Sequence, residues 1–94
     1  MRFLYTYTPG KVPQSEMEEN MRQWGEWIAK IKEKAGIRVA AGKVVSSTGV
    51  AKYEGDFGGA SIVEAESLAD ALKIAESCPG LKYGGTVTVF EEWQ

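Results

Sequence analysis

The chain of 94 residues contains no histidine and a single cysteine, Cys78. Histidine is the side chain best suited to proton transfer near neutral pH, and histidine and cysteine are the usual ligands of zinc. Their scarcity excludes Ser-His-Asp and Cys-His catalytic arrangements as well as conventional zinc sites. No Gly-rich nucleotide-binding pattern occurs either. We therefore expect no metal and no cofactor, and any catalysis must use carboxylates, lysines, tyrosines, Cys78 or backbone groups.

Excess positive charge and long apolar runs are missing too. Eleven lysines and arginines stand against 13 acidic residues, for a net charge of −2, and this balance lacks the basic footprint of a nucleic-acid-binding protein. No apolar run approaches the roughly 18 residues that a membrane span needs. The first residues, MRFLY, do not resemble a signal peptide. These absences predict a cytoplasmic protein that binds neither nucleic acid nor membrane.

The residues that are present predict one domain over 1–94 with an α+β fold. Ser15 and Glu18 form a capping box that opens a first helix, which runs to Ala35 and stops at Gly36. Ser67 with Asp70 caps a second helix, and Cys78-Pro79-Gly80 ends it. Alternating or β-branched segments predict four strands, at residues 2–8, 37–46, 59–65 and 86–91.

The resulting order, β-α-β-β-α-β, is that of a ferredoxin-like fold with a four-stranded antiparallel sheet and two helices on one face. The helix-free face is then bare in a monomer, and the strands carry apolar residues on both sides. In the first strand, Phe3, Tyr5 and Tyr7 alternate with Leu4. This pattern predicts a homodimer formed sheet against sheet, with Tyr5 and Tyr7 on the dimer-facing side.

Asp56 and Phe57 are the first candidate site residues, because Gly55, Gly58 and Gly59 surround them. Turn or bulge glycines are the simpler explanation of this segment. The alternative is a loop that presents the Asp56 carboxylate, as a catalytic base, to a pocket that Phe57 helps to line. The kinase-like letters Asp-Phe-Gly are a coincidence, since the other kinase motifs are absent.

Aromatic residues are the second group of candidates for a pocket. Trp24 lies in the apolar stripe of the first helix and is most simply a core residue, whereas Trp27 lies at its edge, where it can wall a pocket. Gly25 between them either allows close packing or leaves room for a ligand. Tyr5 and Tyr7 either pack at the interface or present their hydroxyls to a ligand. Cys78 is predicted to be a small buried residue rather than a nucleophile.

Two segments, MRQWGEWIAKIKEKAG (21–36) and GGASIVEAESLADALKIAESCPGLKYGGTVTV (58–89), resemble the YCII-related family in its DGPF-containing branch. The resemblance implies a dimeric α+β barrel of ferredoxin-like subunits, with a pocket on each subunit near the barrel. Most members have no assigned activity, and one relative catalyses a dehydrochlorination of a chlorinated aromatic.

The founding branch of that family has a proposed His–Asp pair, and this chain departs from it. By spacing from the helix-end glycine, the matching positions are Asn20 and Lys34, which cannot reproduce its acid–base chemistry. The Asp-Gly-Pro-Phe signature is reduced to EGDF at residues 54–57, and Ala60 replaces the aromatic that usually follows the Gly-Gly pair.

Two functions of different classes follow from these observations. The first is a small-molecule-binding protein whose pocket beside the dimer interface accepts a cyclic or aromatic ligand. The second is a cofactor-independent enzyme of lyase or isomerase type that uses Asp56 as base with Tyr5 or Tyr7. The absence of histidine favours the binding protein.

Overall fold

The computed structural model describes residues 1–93. Four of its strands form an antiparallel sheet in the order β2-β5-β1-β6, and β3 and β4 form a separate hairpin. This sheet order, with a helix after β1 and another after β5, is the predicted ferredoxin-like α+β arrangement. The elements are β1 (Arg2–Thr8), α1 (Met17–Ile31), β2 (Ala35–Arg38), β3 (Lys43–Ser46), β4 (Gly49–Lys52), β5 (Gly59–Glu64), α2 (Leu68–Ala75) and β6 (Thr86–Glu91).

Both helices pack on one face of the sheet, where Phe3 and Tyr5 of β1 are fully buried. The Tyr5 hydroxyl donates a hydrogen bond to the Ala71 carbonyl of α2 at 2.5 Å, and its ring stacks on Trp27 of α1 with centroids 6.2 Å apart. The prediction that Tyr5 and Tyr7 face a dimer partner is therefore wrong. Alternation shows that they share a side, but the packing of the helices decides which side is covered.

The first helix differs from its prediction at both ends. Ser15 provides no capping hydrogen bond; a short 3₁₀ turn at Gln14–Glu16 leads into α1 instead, with the Glu16 N–H donating to the Pro13 carbonyl. The helix ends at Ile31, four residues before the predicted end, because Lys32 adopts a left-handed conformation with φ of 52°. Gly36, predicted to stop the helix, lies in β2.

The predicted strand at 37–46 is wrong as a single element. Its first part belongs to β2, which pairs with β5 in the main sheet, and its last part is β3, which pairs with β4. The chain leaves the sheet at Val39, whose N–H still donates to the Gly58 carbonyl. Ala40, Ala41 and Gly42 then follow, and residues of these types form strands poorly. The hairpin packs little against the remainder of the described chain, and all of its residues are exposed.

The second helix begins as predicted, but it ends three residues before Cys78, where the sequence predicts its end. The Ser67 side chain accepts a hydrogen bond from the Asp70 N–H, as the predicted cap requires. The helix ends at Ala75, and a 3₁₀ turn at Pro79–Tyr83 connects it to the last strand. Gly84 closes that turn with φ of 87°, a conformation that favours glycine.

The helix-free face of the sheet has an apolar centre. The register places Leu4 of β1 between Ile62 of β5 and Phe90 of β6, so these three side chains lie side by side on this face. Leu4 is 38% exposed and Phe90 is 51% exposed. Ile37 on β2 adds a fourth apolar side chain, which pairs with Ala60. A row of this kind is unusual on the wet face of a sheet, where polar residues are expected.

Replacing Gly25 with Ala tests whether this helix glycine serves packing. An added methyl group meets no atom within 4 Å, so close packing does not explain the glycine. We expect Gly25→Ala to stabilise the protein by about 0.5–1 kcal/mol, because alanine restricts the unfolded chain and favours the helix. Thermal unfolding should show a rise in Tm of a few degrees, about 4–8 °C per kcal/mol. An unchanged or lower Tm would contradict the open surroundings of Gly25.

Candidate functional site

A cleft of about 690 Å³ lies between α1 and the edge of the main sheet at β2 and β5. Its floor is formed by the ends of β1 and β5 together with β2, and its wall by a side of α1 that borders the core. The turn after α2 and the segment after β1 close one end. Such a volume lies within the range of small-molecule sites, about 300–1,000 Å³.

The wall of the cleft is apolar and aromatic. Met21, Trp24 and Ile28 come from successive turns of α1 and line the cleft. Trp24 meets Tyr7 edge to face with centroids 5.2 Å apart, and it meets Trp27 at 5.7 Å in the same geometry. The apolar stripe of α1 is therefore divided in function. Its C-terminal end reaches the core at Ile31, whereas the preceding turns face the cleft.

The floor of the cleft carries a continuous chain of three hydrogen-bonded side chains. The Tyr7 hydroxyl donates to Ser61 Oγ at 2.8 Å, and the Ser61 hydroxyl donates to Glu33 Oε2 at 2.5 Å. Tyr7 and Ser61 lie on neighbouring strands of the sheet, and Ser61 is only 2% exposed. All three residues line the cleft. The cleft thus contains a half-buried carboxylate that is connected to a phenol through a buried hydroxyl.

The early end of α1 is what places Glu33 in the cleft. Because the helix stops at Ile31, residues 33 and 34 form the link to β2 rather than a further helical turn. Gly36 leaves space for the carboxylate, since an added methyl group there would lie 2.4 Å from Glu33 Oε2. Lys34 points elsewhere and pairs with Glu64 at 3.8 Å.

Burial raises the pKa of Tyr7 well above that of a free tyrosine, and this desolvation outweighs the opposing hydrogen bond to Ser61. Tyr7 therefore stays a neutral phenol at physiological pH. Burial also raises the pKa of the Cys78 thiol, which lies in the core at 5% exposure. A buried, protonated thiol is a poor nucleophile, in agreement with the prediction for Cys78.

Further polar side chains line the cleft, among them Asn20 from the wall and Arg38 from the floor. Asn20 of α1 has its side-chain oxygen Oδ1 buried without a hydrogen-bond partner in the described chain. Arg38, an exposed residue at the end of β2, also lines the cleft and carries a positive charge. An unsatisfied buried amide oxygen is costly unless a ligand or a water molecule supplies a donor. The cleft therefore offers an acceptor, a cation and a carboxylate around an aromatic wall.

The structure places the predicted pocket residues in two layers. Tyr7 and Trp24 line the cleft, whereas Tyr5 and Trp27 lie behind them in the core. Trp27 is 4% exposed and donates its indole N–H to Ser77 Oγ at 2.9 Å. The sequence predicts Trp24 in the core and Trp27 in a pocket wall, and the structure shows the reverse. Their positions, three residues apart on one helix, turn one towards the sheet and the other towards the cleft.

Asp56 and Phe57 do not join this group. Both are exposed in the segment that returns from the hairpin to β5, and neither lines the cleft. The Phe57 N–H donates to the Tyr53 hydroxyl at 3.3 Å, so local contacts hold this segment. The catalytic role of Asp56 stays a prediction.

Sequence reasoning did not identify Glu33, Ser61 and Arg38 as site residues. Glu33 lies in the run KIKEKAG, where its charge reads as part of a solvated helix end. Ser61 is the one polar residue that is buried in β5, in the pattern GASIVE. A polar residue at a core position of a strand is the signal that was available, because buried hydroxyls need partners.

Two features are absent from residues 1–93. No three acidic or cysteine side chains of this part of the chain come together as a metal ion requires. None of its helices has the length and apolarity that crossing a membrane demands.

The fold and the cleft define a small α+β protein with a ferredoxin-like four-stranded sheet and a separate β-hairpin. Comparison with known proteins identifies its family: the model described as the YCII-related domain matches residues 1–94, and the chain belongs to this family. Comparison with curated protein sequences yields no significant match.

Among solved structures, the chain is similar to 5-chloro-2-hydroxyhydroquinone dehydrochlorinase (TftG) from Burkholderia phenoliruptrix AC1100 in complex with 2,5-dihydroxybenzoquinone. The two share 24% sequence identity over 100% of this chain and 94% of that chain, with a TM-score of 0.62. At this identity the likeness establishes the shared fold.

Proposed function

We propose that the protein binds a small cyclic or aromatic molecule in the cleft between α1 and the sheet. The observation that carries this proposal is the combination of an aromatic wall at Trp24 with the hydrogen-bonded floor of Tyr7, Ser61 and Glu33. Apolar walls with a few well-placed polar groups are typical of small-molecule sites. A flat ring can pack on the indole while its substituents reach the polar floor.

The structural relative adds a chemical class to this proposal. Its structure contains 2,5-dihydroxybenzoquinone, a flat ring with hydroxyl and carbonyl groups. A ligand of this kind matches the polar groups available here, because hydroxyls can donate to Asn20 Oδ1 and anionic oxygens can pair with Arg38. We propose hydroxylated cyclic compounds as the ligand class. Membership of the DGPF branch stays a prediction.

We further propose that the protein is a homodimer and that the cleft lies beside the interface. The support is the apolar row on the helix-free face around Leu4 and Phe90. Ile37 lies on the same face and is 64% exposed. The strand that carries it, β2, also forms an edge of the cleft. Covering this face with a second copy would remove the exposed apolar surface from water.

A cofactor-independent lyase or isomerase is the second candidate function. Glu33 favours it, since a carboxylate in an aromatic cleft can serve as a general base or acid. The version of this hypothesis that uses Asp56 as base needs that side chain to reach the cleft. The version that uses Glu33 needs no rearrangement of the described residues.

Binding of 2,5-dihydroxybenzoquinone tests the proposed function. A ligand at 100 times its Kd stabilises the folded state by about 2.7 kcal/mol, so we expect a rise in Tm of about 10–20 °C. Trp24→Ala should abolish most of this shift, whereas Phe57→Ala, a matched loss of an aromatic ring outside the cleft, should preserve it. A shift that vanishes in Phe57→Ala and persists in Trp24→Ala would contradict the location of the site.

A further inference from the structure

We propose that Tyr7, Ser61 and Glu33 form a proton relay, through which a ligand in the cleft and the Glu33 carboxylate share one proton. This inference rests on the proposed function and extends it in two ways. It assigns Glu33 as the group that takes up the proton. It also restricts the ligand to small cyclic molecules with an ionisable O–H group, such as acidic phenols and enols.

The direction of the hydrogen bonds follows from the chemistry of their end group. An ionised carboxylate only accepts hydrogen bonds, so the Ser61 hydroxyl must donate to Glu33 Oε2. Ser61 Oγ then accepts from the Tyr7 hydroxyl, its partner at 2.8 Å. The Tyr7 oxygen keeps free lone pairs, and Tyr7 lines the cleft. In the resting state the relay therefore presents an acceptor to the hydroxyl group of a ligand.

Transfer along this chain is balanced in atoms and charge. The O–H bond of the ligand breaks, and its proton passes to the Tyr7 oxygen. The Tyr7 proton passes to Ser61 Oγ, and the Ser61 proton passes to Glu33 Oε2. The ligand is then an anion that accepts a hydrogen bond from Tyr7, and Glu33 is a neutral acid. One negative charge has moved from Glu33 to the ligand, and no electrons are exchanged with a further reactant.

Tyr7 passes the proton along the relay without becoming a lasting anion. Its strongly raised pKa, caused mainly by burial, disfavours a lasting tyrosinate, so the charge resides on either the ligand or Glu33. Arg38 and Tyr83 are the other charged or titratable side chains along the cleft, and the Cys78 thiol lies close enough to Tyr7 to influence its ionisation. Arg38 attracts an anion in the cleft.

The acidity of the ligand decides where the shared proton resides. A simple phenol is a much weaker acid than a carboxylic acid. A simple phenol therefore retains its proton and donates it to Tyr7 as a hydrogen bond. A hydroxyl conjugated with a carbonyl group is more acidic, and its proton can cross to Glu33. The relay thus prepares such ligands for reactions that begin with loss of the hydroxyl proton.

Binding of 4-nitrophenol, whose absorption spectrum distinguishes phenol from phenolate, tests the relay. At a pH where the free probe is the phenolate, we expect the wild-type protein to take up about one proton per probe bound. The bound probe should show the spectrum of the neutral phenol. In Glu33→Gln, proton uptake should fall to near zero and the bound probe should remain the phenolate. Uptake is measured by calorimetry in buffers of different ionisation enthalpy.

Ser61→Ala distinguishes the relay from simple charge repulsion. It retains the Glu33 carboxylate but removes the connecting hydroxyl, so the relay predicts that uptake is lost. Tyr7→Phe, which retains the ring against Trp24, should have the same effect. Asp56→Asn is the matched carboxylate control outside the cleft and should behave like the wild type, with thermal unfolding confirming that each variant is folded.

Each other outcome has a defined meaning. Binding of the probe without proton uptake in the wild type would overturn the relay and leave the proposed function intact. Uptake that persists in Ser61→Ala and Tyr7→Phe, or that disappears in Asp56→Asn but not in Glu33→Gln, would also overturn it. Failure of the wild-type protein to bind either 4-nitrophenol or 2,5-dihydroxybenzoquinone would overturn the proposed function and the relay together.

Discussion

Replacing Trp27 with Ala should lower the free energy of unfolding by about 3–5 kcal/mol, the usual cost of removing a large buried aromatic side chain. Trp27 is 4% exposed, stacks on Tyr5 and donates its indole N–H to Ser77. Its loss leaves a cavity between α1 and the sheet and removes the indole donor of Ser77. Since small domains are stable by only about 5–15 kcal/mol, this one substitution should remove a large part of the total.

Trp24→Ala is the matched comparison, because it removes the same side chain three residues away. Trp24 is half-buried and forms part of the cleft wall. We expect a clearly smaller loss of stability than in Trp27→Ala, together with a loss of ligand affinity of about tenfold or more, equivalent to about 1.4 kcal/mol. Urea unfolding measures the first quantity and ligand titration the second. A larger loss of stability in Trp24→Ala would contradict the division of α1 between core and cleft.

The combined substitution Leu4→Glu and Phe90→Glu should convert a dimer into a monomer. The register places these residues side by side at the centre of the helix-free face. In a sheet-against-sheet dimer, each copy would bury two unpaired carboxylates, at a cost of several kcal/mol per ion. We expect the dissociation constant to rise by about a thousandfold or more, equivalent to about 4 kcal/mol.

Sedimentation equilibrium at micromolar concentration measures this change. Met17→Glu is the control, since Met17 is an exposed apolar residue of α1, 52% accessible and away from the helix-free face. It should leave the dimer intact. A wild-type protein that sediments as a monomer, or a dimer that dissociates in Met17→Glu alone, would contradict the proposed interface.

Much of the fold could be predicted because its signals are local. β1 at 2–8 and β6 at 86–91 have the predicted bounds, since their β-branched and aromatic residues adjoin Pro9-Gly10 at the end of β1 and Gly84-Gly85 at the start of β6. The Ser67 cap is equally local, because donor and acceptor are three residues apart.

The errors concern properties that local patterns do not contain. The end of α1 depends on Lys32, a residue type with no preference for the left-handed conformation it adopts. Likewise, alternation groups Tyr5 with Tyr7 on one side of β1, but both sides of the strand are apolar. The side that the helices cover is a tertiary outcome, and here it is the tyrosine side.

The site could be predicted only in part for the same reason. Trp24 and Tyr7 could be predicted as candidates because a large aromatic side chain can line a pocket as well as pack in the core. Glu33 and Ser61 are 28 residues apart and meet because β2 pairs with β5 directly after α1 ends. No spacing rule connects them, and the buried serine of β5 was the single local indication.

The location of a bound ligand is the most direct test of the cleft as the functional site. An NMR titration of the isotope-labelled protein with 4-nitrophenol should shift the backbone signals of Gly36 and Ser61 and the indole signal of Trp24. Signals from the hairpin and from Asp56 should stay in place. Shifts that concentrate at residues 53–57, with the cleft signals unchanged, would contradict this account and restore Asp56 as the centre of the site.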